Sequence, residues 1–413
     1  MRPLSSLLSR FVKKGSLTVY DADGAAHQFG NGADGPSVTM RLHDRKLYRD
    51  LFFSPELRTP EAYMDGLLTF ENGSEVYDLL YLFSVNRRSL GSHPVQQAVG
   101  RISRAVKRFQ QQNRLGQAAQ NVQHHYDISN DLYRLFLDEG MNYSCAYFTD
   151  PEQSLESAQL AKFRHAASKL GLKPGMTVCD IGSGWGSFAI FLAKTFDVKV
   201  TGVNVSKEQL ALSRERVQSE GLGDRVEFIE CDYRDIEGPF DRVTSVGMME
   251  HVGVPFFDAY FGKVRDILKP GGYAFIHAIG SMSPPSTTSP FIRKYIFPGG
   301  YTPAMSEVFA STERCRLWVA DVEILRLHYA YTIRHWRGRF AANRDKAAAL
   351  FDERFCRMWE FYLAAVEMSF RHGSNMVFQL LLSNAREDVP ITRDYMFDAE
   401  RALNAERKQA SAA

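Results

Sequence analysis

The alternation of apolar and polar positions is clearest after Gly175. MTVCDIG, VKVTGVNV, RVEFIECD, FDRVTSVGMM and YAFIHAIG are short apolar runs, each bounded by turn residues. Between them, GWGSFAIFLAKTF, KEQLALSRERVQSE and FFDAYFGKVRDILK carry apolar residues at helical spacing. This alternation of strand and helix predicts an α/β fold with a doubly wound parallel sheet. Near the end, VEILRLHYAYT and NMVFQLLLS predict two further strands. The pattern before this region differs. SLTVYDADG and the turn-rich AHQFGNGADGPSVTMRLHD read as strands, whereas EAYMDGLLTF and SEVYDLLYLF read as helices. That makes a small α+β domain over residues 1–115, ahead of a larger domain over 116–413.

Two amphipathic stretches stand out. In MRPLSSLLSRFVKKGSL, Leu4, Leu7, Leu8, Phe11 and Val12 share one helical face with basic residues beyond it. Such a helix packs on its own domain or lies on a membrane surface, and its short apolar part does not suit a signal peptide. From Leu79 to Tyr126 there is no acidic residue, but there are seven Arg or Lys. Val95, Val99, Ile102, Val106 and Phe109 form a stripe along it. Attraction to an anionic lipid surface and a merely solvated linker face both fit; nucleic-acid binding lacks a stacking pattern.

Composition narrows the class without naming a partner. The 413 residues carry a net charge of +2 and five cysteines, with no CxxC pair or metal-ligand cluster. A reducing cytosol and the absence of a disulfide framework are expected. No apolar run reaches the ~20 residues of a membrane-spanning helix.

The candidate chemistry starts at DIGSGWG, which closes the first strand of the alternating region. Gly182, Gly184 and Gly186 allow a tight turn and close approach to a ligand at a helix N-terminus. The second strand ends in VNVSKEQ rather than in the acid that a nicotinamide ribose requires. The pattern therefore favours S-adenosylmethionine over a dinucleotide. Asn204, Ser206 and Gln209 are candidates for the ribose hydroxyls, and Asp232, in ECDYRD, for the adenine amine. HHYDISNDLYRLFLDEGMNYSCAYF, residues 124–148, is dense in aromatics suited to a sulfonium cation; of these, Tyr133 and Phe136 read as packing residues. The expected cofactor-binding set is Tyr126, Tyr143, Ser144, Asp180, Gly182, Gly184, Gly186, Asn204, Ser206, Gln209, Asp232 and Tyr233.

YDISNDLYRLFLDEGMNYSCAYF, DIGSGWGSFAIFLAKTF, VGMMEHVG, FIHAIG, IFPGG and LHYAYT, taken in order, resemble the cyclopropane fatty acid synthases, including those acting on mycolic acids. The resemblance runs from about His124 to Ser383, and EAYMDG resembles the extra N-terminal domain of the bacterial enzymes acting on phospholipids. It implies a Rossmann-like S-adenosylmethionine methyltransferase domain. It also implies methylene transfer to a cis double bond of a phospholipid acyl chain, with bicarbonate as base. The implied holders of that anion are Cys145 and Ile279 (through their backbones), Glu250, His277 and Tyr329, with His251 in support. SMSPPSTTSPFIRKYIFPGG is then expected to line an acyl-chain channel. A cytoplasmic enzyme, held peripherally on the inner membrane face by the N-terminal domain and basic helix, is expected, and the resemblance adds a homodimer to that expectation. Many members carry a cysteine where FYLAAVEMSFR has Val366, a departure that suits a structural position. Two rival readings remain: a lipid methyltransferase giving a methyl-branched or methyl-unsaturated chain or methylating a lipid amine, and a lipid-binding protein on a retired catalytic domain.

Overall fold

The computed structural model describes residues 1–90 and 129–410. The basic amphipathic stripe, the expected 115/116 boundary and Tyr126 lie outside the described residues. Contacts gather the rest into two compact units: residues 1–90 with Ser286–Pro298 and Ile333–Ser374, and residues 129–285 with Gly299–Thr332 and 375–410.

In the first unit, strands β1 (Ser16–Tyr20), β2 (Ala26–Gly30), β3 (Ser37–Leu42) and β4 (Leu68–Phe70) form a sheet ordered β2-β1-β3-β4. The helical reading of EAYMDGLLTF needs correction at its end. The helix Pro55–Met64 stops before Gly66, and Leu68–Phe70 pairs antiparallel with β3. The N-terminal helix Arg2–Phe11 buries Leu4, Leu7, Leu8 and Phe11, three of which join Leu17, Val19 and Leu42 in one apolar core. Its hydrophobic face is thus spent on its own unit. The contiguous division expected from the sequence also needs correction. Helix Glu353–Arg371 packs on the helices Pro55–Met64 and Val76–Val85. The buried Glu367 accepts from Arg337 and Arg371, and the Tyr63 hydroxyl donates to Glu360. Glu61 likewise accepts from Lys294 and Tyr295 of the Ser286–Pro298 segment.

The second unit contains β5 (Thr177–Ile181), β6 (Lys199–Asn204), β7 (Val226–Glu230), β8 (Phe240–Val246), β9 (Leu268–Ser281), β10 (Trp318–Leu325) and β11 (Asn375–Ser383). The sheet order is β10-β11-β9-β8-β5-β6-β7, with β5 to β9 parallel and β11 antiparallel to both its neighbours. Alternate residues of β9 enter different cores: Ala274, Ile276 and Ala278 on one face, Tyr273 and Phe275 on the other. Burial on both faces is why these strands read as continuous apolar runs. The expected strand VEILRLHYAYT is only half right. Strand β10 ends at Leu325 and the helix His328–Ala342 begins within the same run. Tyr329, Ala330, Ile333, Trp336 and Phe340 are buried, a helical rather than a two-residue repeat. Among the described residues, no helix is long and apolar enough to cross a membrane.

Chain order reverses at β5, which lies between β6 and β8. In a doubly wound sheet the crevice outside the strand ends at that reversal is the expected ligand site.

Candidate active site

The turn after β5 builds the floor of that crevice. Gly182 has φ +77°, and a Cβ there would stand 2.9 Å from the Met248 Cβ. Gly186 has φ +82°, caps the helix Ser187–Phe196, and has Phe228 against the position of a Cβ. Neither position accepts an ordinary side chain without a shift of its neighbours. Above the turn opens a cavity of about 160 Å³ in the second unit, lined by the ends of β5, β6 and β8 and by the segment 141–144.

Of the expected cofactor residues, Tyr143, Ser144, Asp180, Gly182, Gly184, Asn204, Gln209, Asp232 and Tyr233 line this cavity. Gly186 lies one residue behind the lining residue Trp185, and Ser206 is fully buried as the N-cap of helix Lys207–Ser219. The hydroxyl of Ser206 accepts from the Gln209 N–H, which directs it to the helix rather than to a ribose. Asn204 is also engaged: its amide donates to Gly184 and Gln209, and its oxygen accepts from Val205 and Ser206. Asp232, expected to meet the adenine amine, accepts from the Arg234 guanidinium at 2.8 Å and so stands in an ion pair.

The sequence reading missed Lys162. It is buried, its Nζ donates to the Ser144 hydroxyl at 2.9 Å, and it faces the cavity. Burial pushes its pKa down to about 8 despite the nearby carboxylates Asp138 and Asp180. Burial likewise raises Asp180 to about 6, opposed by a hydrogen bond from Thr244 and by Lys162. One buried cation and one buried carboxylate in one cavity suit a zwitterionic amino-acid group. The signal was present: Lys162 interrupts the buried face of helix Leu155–Leu170 that includes Leu155, Ala158, Phe163 and Ala166. Trp185 was also passed over. Its indole donates to Asn130, and with Tyr133 and Tyr143 it forms a cluster of aromatic edges.

Glu250 lies just beyond the end of β8, and His277 lies within β9 opposite the last residue of β8. Val246 and His277 are register partners, and the Gly247 N–H donates to the His277 carbonyl. Glu250 Oε1 accepts from the Ile279 N–H at 2.6 Å, so that backbone donor is directed at the carboxylate. Glu250 Oε2 and His277 Nε2 are buried without a hydrogen-bond partner among the described residues. Burial raises Glu250 to about 7 against the pull of the Ile279 N–H. Burial, and then the cations Lys162 and Lys169, hold His277 down near 3. His251 lines the cavity and burial lowers it to about 4.

Cys145 is 1% exposed, and burial pushes its thiol up, so it stays protonated. Its neighbours are tied down: the Ala146 N–H donates to Thr332 and the Phe148 N–H to His328. Tyr329 is buried on the first turn of the same helix as those two acceptors.

The seven-stranded fold and its crevice define an S-adenosylmethionine-dependent methyltransferase. The chain matches the family model described as mycolic acid cyclopropane synthetase over residues 113–380, and it belongs to that family. It is 41% identical over 290 residues to a probable fatty acid methyltransferase of Pseudomonas putida, covering 68% of this chain and 74% of the relative. It is 42% identical over 264 residues to the cyclopropane-fatty-acyl-phospholipid synthase of Escherichia coli K12, covering 64% and 68%. Among solved structures, mycolic acid cyclopropane synthase CmaA1 complexed with SAH and CTAB superposes with a TM-score of 0.61 at 33% identity, covering 64% of this chain and 97% of that one.

Proposed function

We propose that this enzyme adds a methylene across a cis double bond in an acyl chain of a membrane phospholipid. When bound, S-adenosylmethionine supplies an electrophilic methyl carbon, and bicarbonate supplies a weak base beside it. The observation that carries this reading is the pair of buried, unpartnered polar atoms, Glu250 Oε2 and His277 Nε2. Buried polar atoms are rarely left without partners; Glu250 is tied through its Oε1 to Ile279, two residues from His277 on β9, and the two open atoms would serve a small oxyanion.

The residues divide the work. Asp180 and Lys162 would hold the ammonium and carboxylate of the methyl donor, and Tyr143 and Trp185 would offer aromatic rings to its sulfonium. His277 stays neutral at working pH and presents a ring nitrogen to the anion. Glu250, with a pKa of about 7, exists largely as the acid below neutrality and so donates to a bound anion instead of repelling it. The alkene would attack the methyl carbon as the sulfide leaves. One proton would then pass from the new methyl group to the anion held by His277 and Glu250, and the C–H electron pair would close the ring. The buried walls exclude water that would trap the cationic carbon.

Peripheral binding at the inner membrane face fits an acyl-phospholipid substrate. The second reading, methyl transfer that keeps the alkene or leaves a methyl branch, is favoured by the name of the Pseudomonas putida relative. Unsaturated phospholipid vesicles incubated with the protein, labelled S-adenosylmethionine and bicarbonate decide between them. A gain of one CH2 with loss of vinyl protons and new upfield ring protons supports the synthase. A labelled lipid with its alkene intact, or a reduced chain bearing a branch methyl, supports the second reading.

A further inference from the structure

His277 has one ring nitrogen toward the cavity, and what stands behind the other decides what it can do. His277 and Gln379 are direct register partners on the antiparallel strands β9 and β11. Their side chains therefore project from the same face of the sheet. The Gln379 amide nitrogen lies 3.2 Å from His277 Nδ1, and its amide oxygen lies 2.5 Å from Lys169 Nζ. Lys169 also forms an ion pair with Glu323, which accepts from His165 Nε2 at 2.7 Å. His277, Gln379 and Lys169 are 3%, 1% and 4% exposed, so water does not compete for these bonds.

This chain has a direction. A lysine ammonium only donates, so the Gln379 oxygen must face Lys169. The amide NH2 then faces His277 and donates to Nδ1. A neutral imidazole whose Nδ1 accepts carries its single proton on Nε2. That nitrogen is the buried atom without a partner at the cavity wall. Were the amide reversed, two donors would meet at Lys169 and the imidazole would present a lone pair to the cavity.

We infer that Lys169 and Gln379 are positioning residues that lock His277 as an Nε2–H donor toward the anion site. This rests on the reading of His277 as an anion holder, but the tautomer can be measured independently of any product. Full-length protein labelled with [15N]histidine, examined by long-range proton–nitrogen correlation, reports which nitrogen is protonated; the H277Q spectrum assigns the signal. Wild type is expected to show a bare Nδ1 and a protonated Nε2. A carboxylate at Gln379→Glu keeps Lys169 paired but only accepts, so Nδ1 gains a proton. Its kcat should fall on the order of 10- to 100-fold, with KM for S-adenosylmethionine within about threefold. In Lys169→Met the amide is free to turn, and the His277 signal should shift toward a protonated Nδ1. A protonated Nδ1 in wild type overturns the inference, as does a bare Nδ1 in both variants. An Nδ1-protonated Gln379→Glu with unchanged kcat overturns the positioning role. If the labelled product proves not to be a cyclopropane while the spectra behave as expected, the proposed reaction fails and the lock stands.

Discussion

Replacing Glu250 by glutamine removes one ionisation and little else. The amide oxygen can still accept from the Ile279 N–H, and the volume is nearly unchanged. In the native protein burial moves this carboxyl from 4.5 to about 7, so the folded state keeps a proton that the unfolded chain releases. The contribution is full below pH 4.5 and is lost as pH rises through about 7. At about 1.4 kcal/mol per pH unit, the displacement corresponds to roughly 3 kcal/mol. Urea unfolding of wild type and Glu250→Gln from pH 5 to 8.5, in degassed buffer, measures it. The difference between the two proteins is the useful quantity, because Asp180, Lys162 and the other titrating groups are common to both and cancel. The variant should gain steadily on wild type as pH rises, by about 2 to 3 kcal/mol at pH 8 relative to pH 5, then level off. The same substitution keeps an N–H donor toward the anion, so kcat of the variant should lack the fall through about pH 7 expected of wild type as Glu250 ionises. A stability difference that stays flat from pH 5 to 8 would refute the assignment of a buried, proton-holding carboxyl. A variant whose kcat falls through about pH 7 as wild type does would separately remove Glu250 from the anion site.

Lys162→Met should weaken S-adenosylmethionine binding by about 10- to 100-fold in calorimetry, the size of a charge-assisted hydrogen bond. In wild type, affinity should fall as pH rises through about 8, where Lys162 loses its charge; the variant should lack that step. Gly182→Ala forces a side chain into φ +77° and against Met248, so a loss of about 1 to 3 kcal/mol of stability is expected, together with weaker cofactor binding. Cys145→Ala should keep kcat within a few-fold, and native enzyme should resist thiol alkylation, since the thiol is buried and protonated. An alkylation-sensitive enzyme or an inactive Cys145→Ala would assign the thiol a chemical role.

Much of the catalytic unit was legible in the chain. Strands β5, β8 and β9 are buried on both faces and therefore appear as apolar runs, and the glycines of DIGSGWG mark a turn where side chains do not fit. Those are local properties, fixed by periodicity and by φ. The turn from β10 into the helix His328–Ala342 was misread because VEILRLHYAYT is apolar enough for either structure, and only packing of Tyr329, Ala330 and Ile333 decided it. Helix Glu353–Arg371 was assigned to the catalytic domain by sequence position, yet its buried face meets helices from residues 55–85, nearly 300 positions earlier. Lys162 could be noticed as a break in an apolar helix face, but its meaning depends on Ser144 and Asp180 arriving beside it. The resemblance carried by the motifs named Glu250 and His277, whereas their protonation came from burial. The tautomer of His277 depends on Gln379 and Lys169, distant in sequence and joined by strand register. The sequence alone thus determined which segments turn, alternate and bury. The tertiary structure decided which charges lose water and which atoms face one another, and those set the pKa values and the direction of each hydrogen bond.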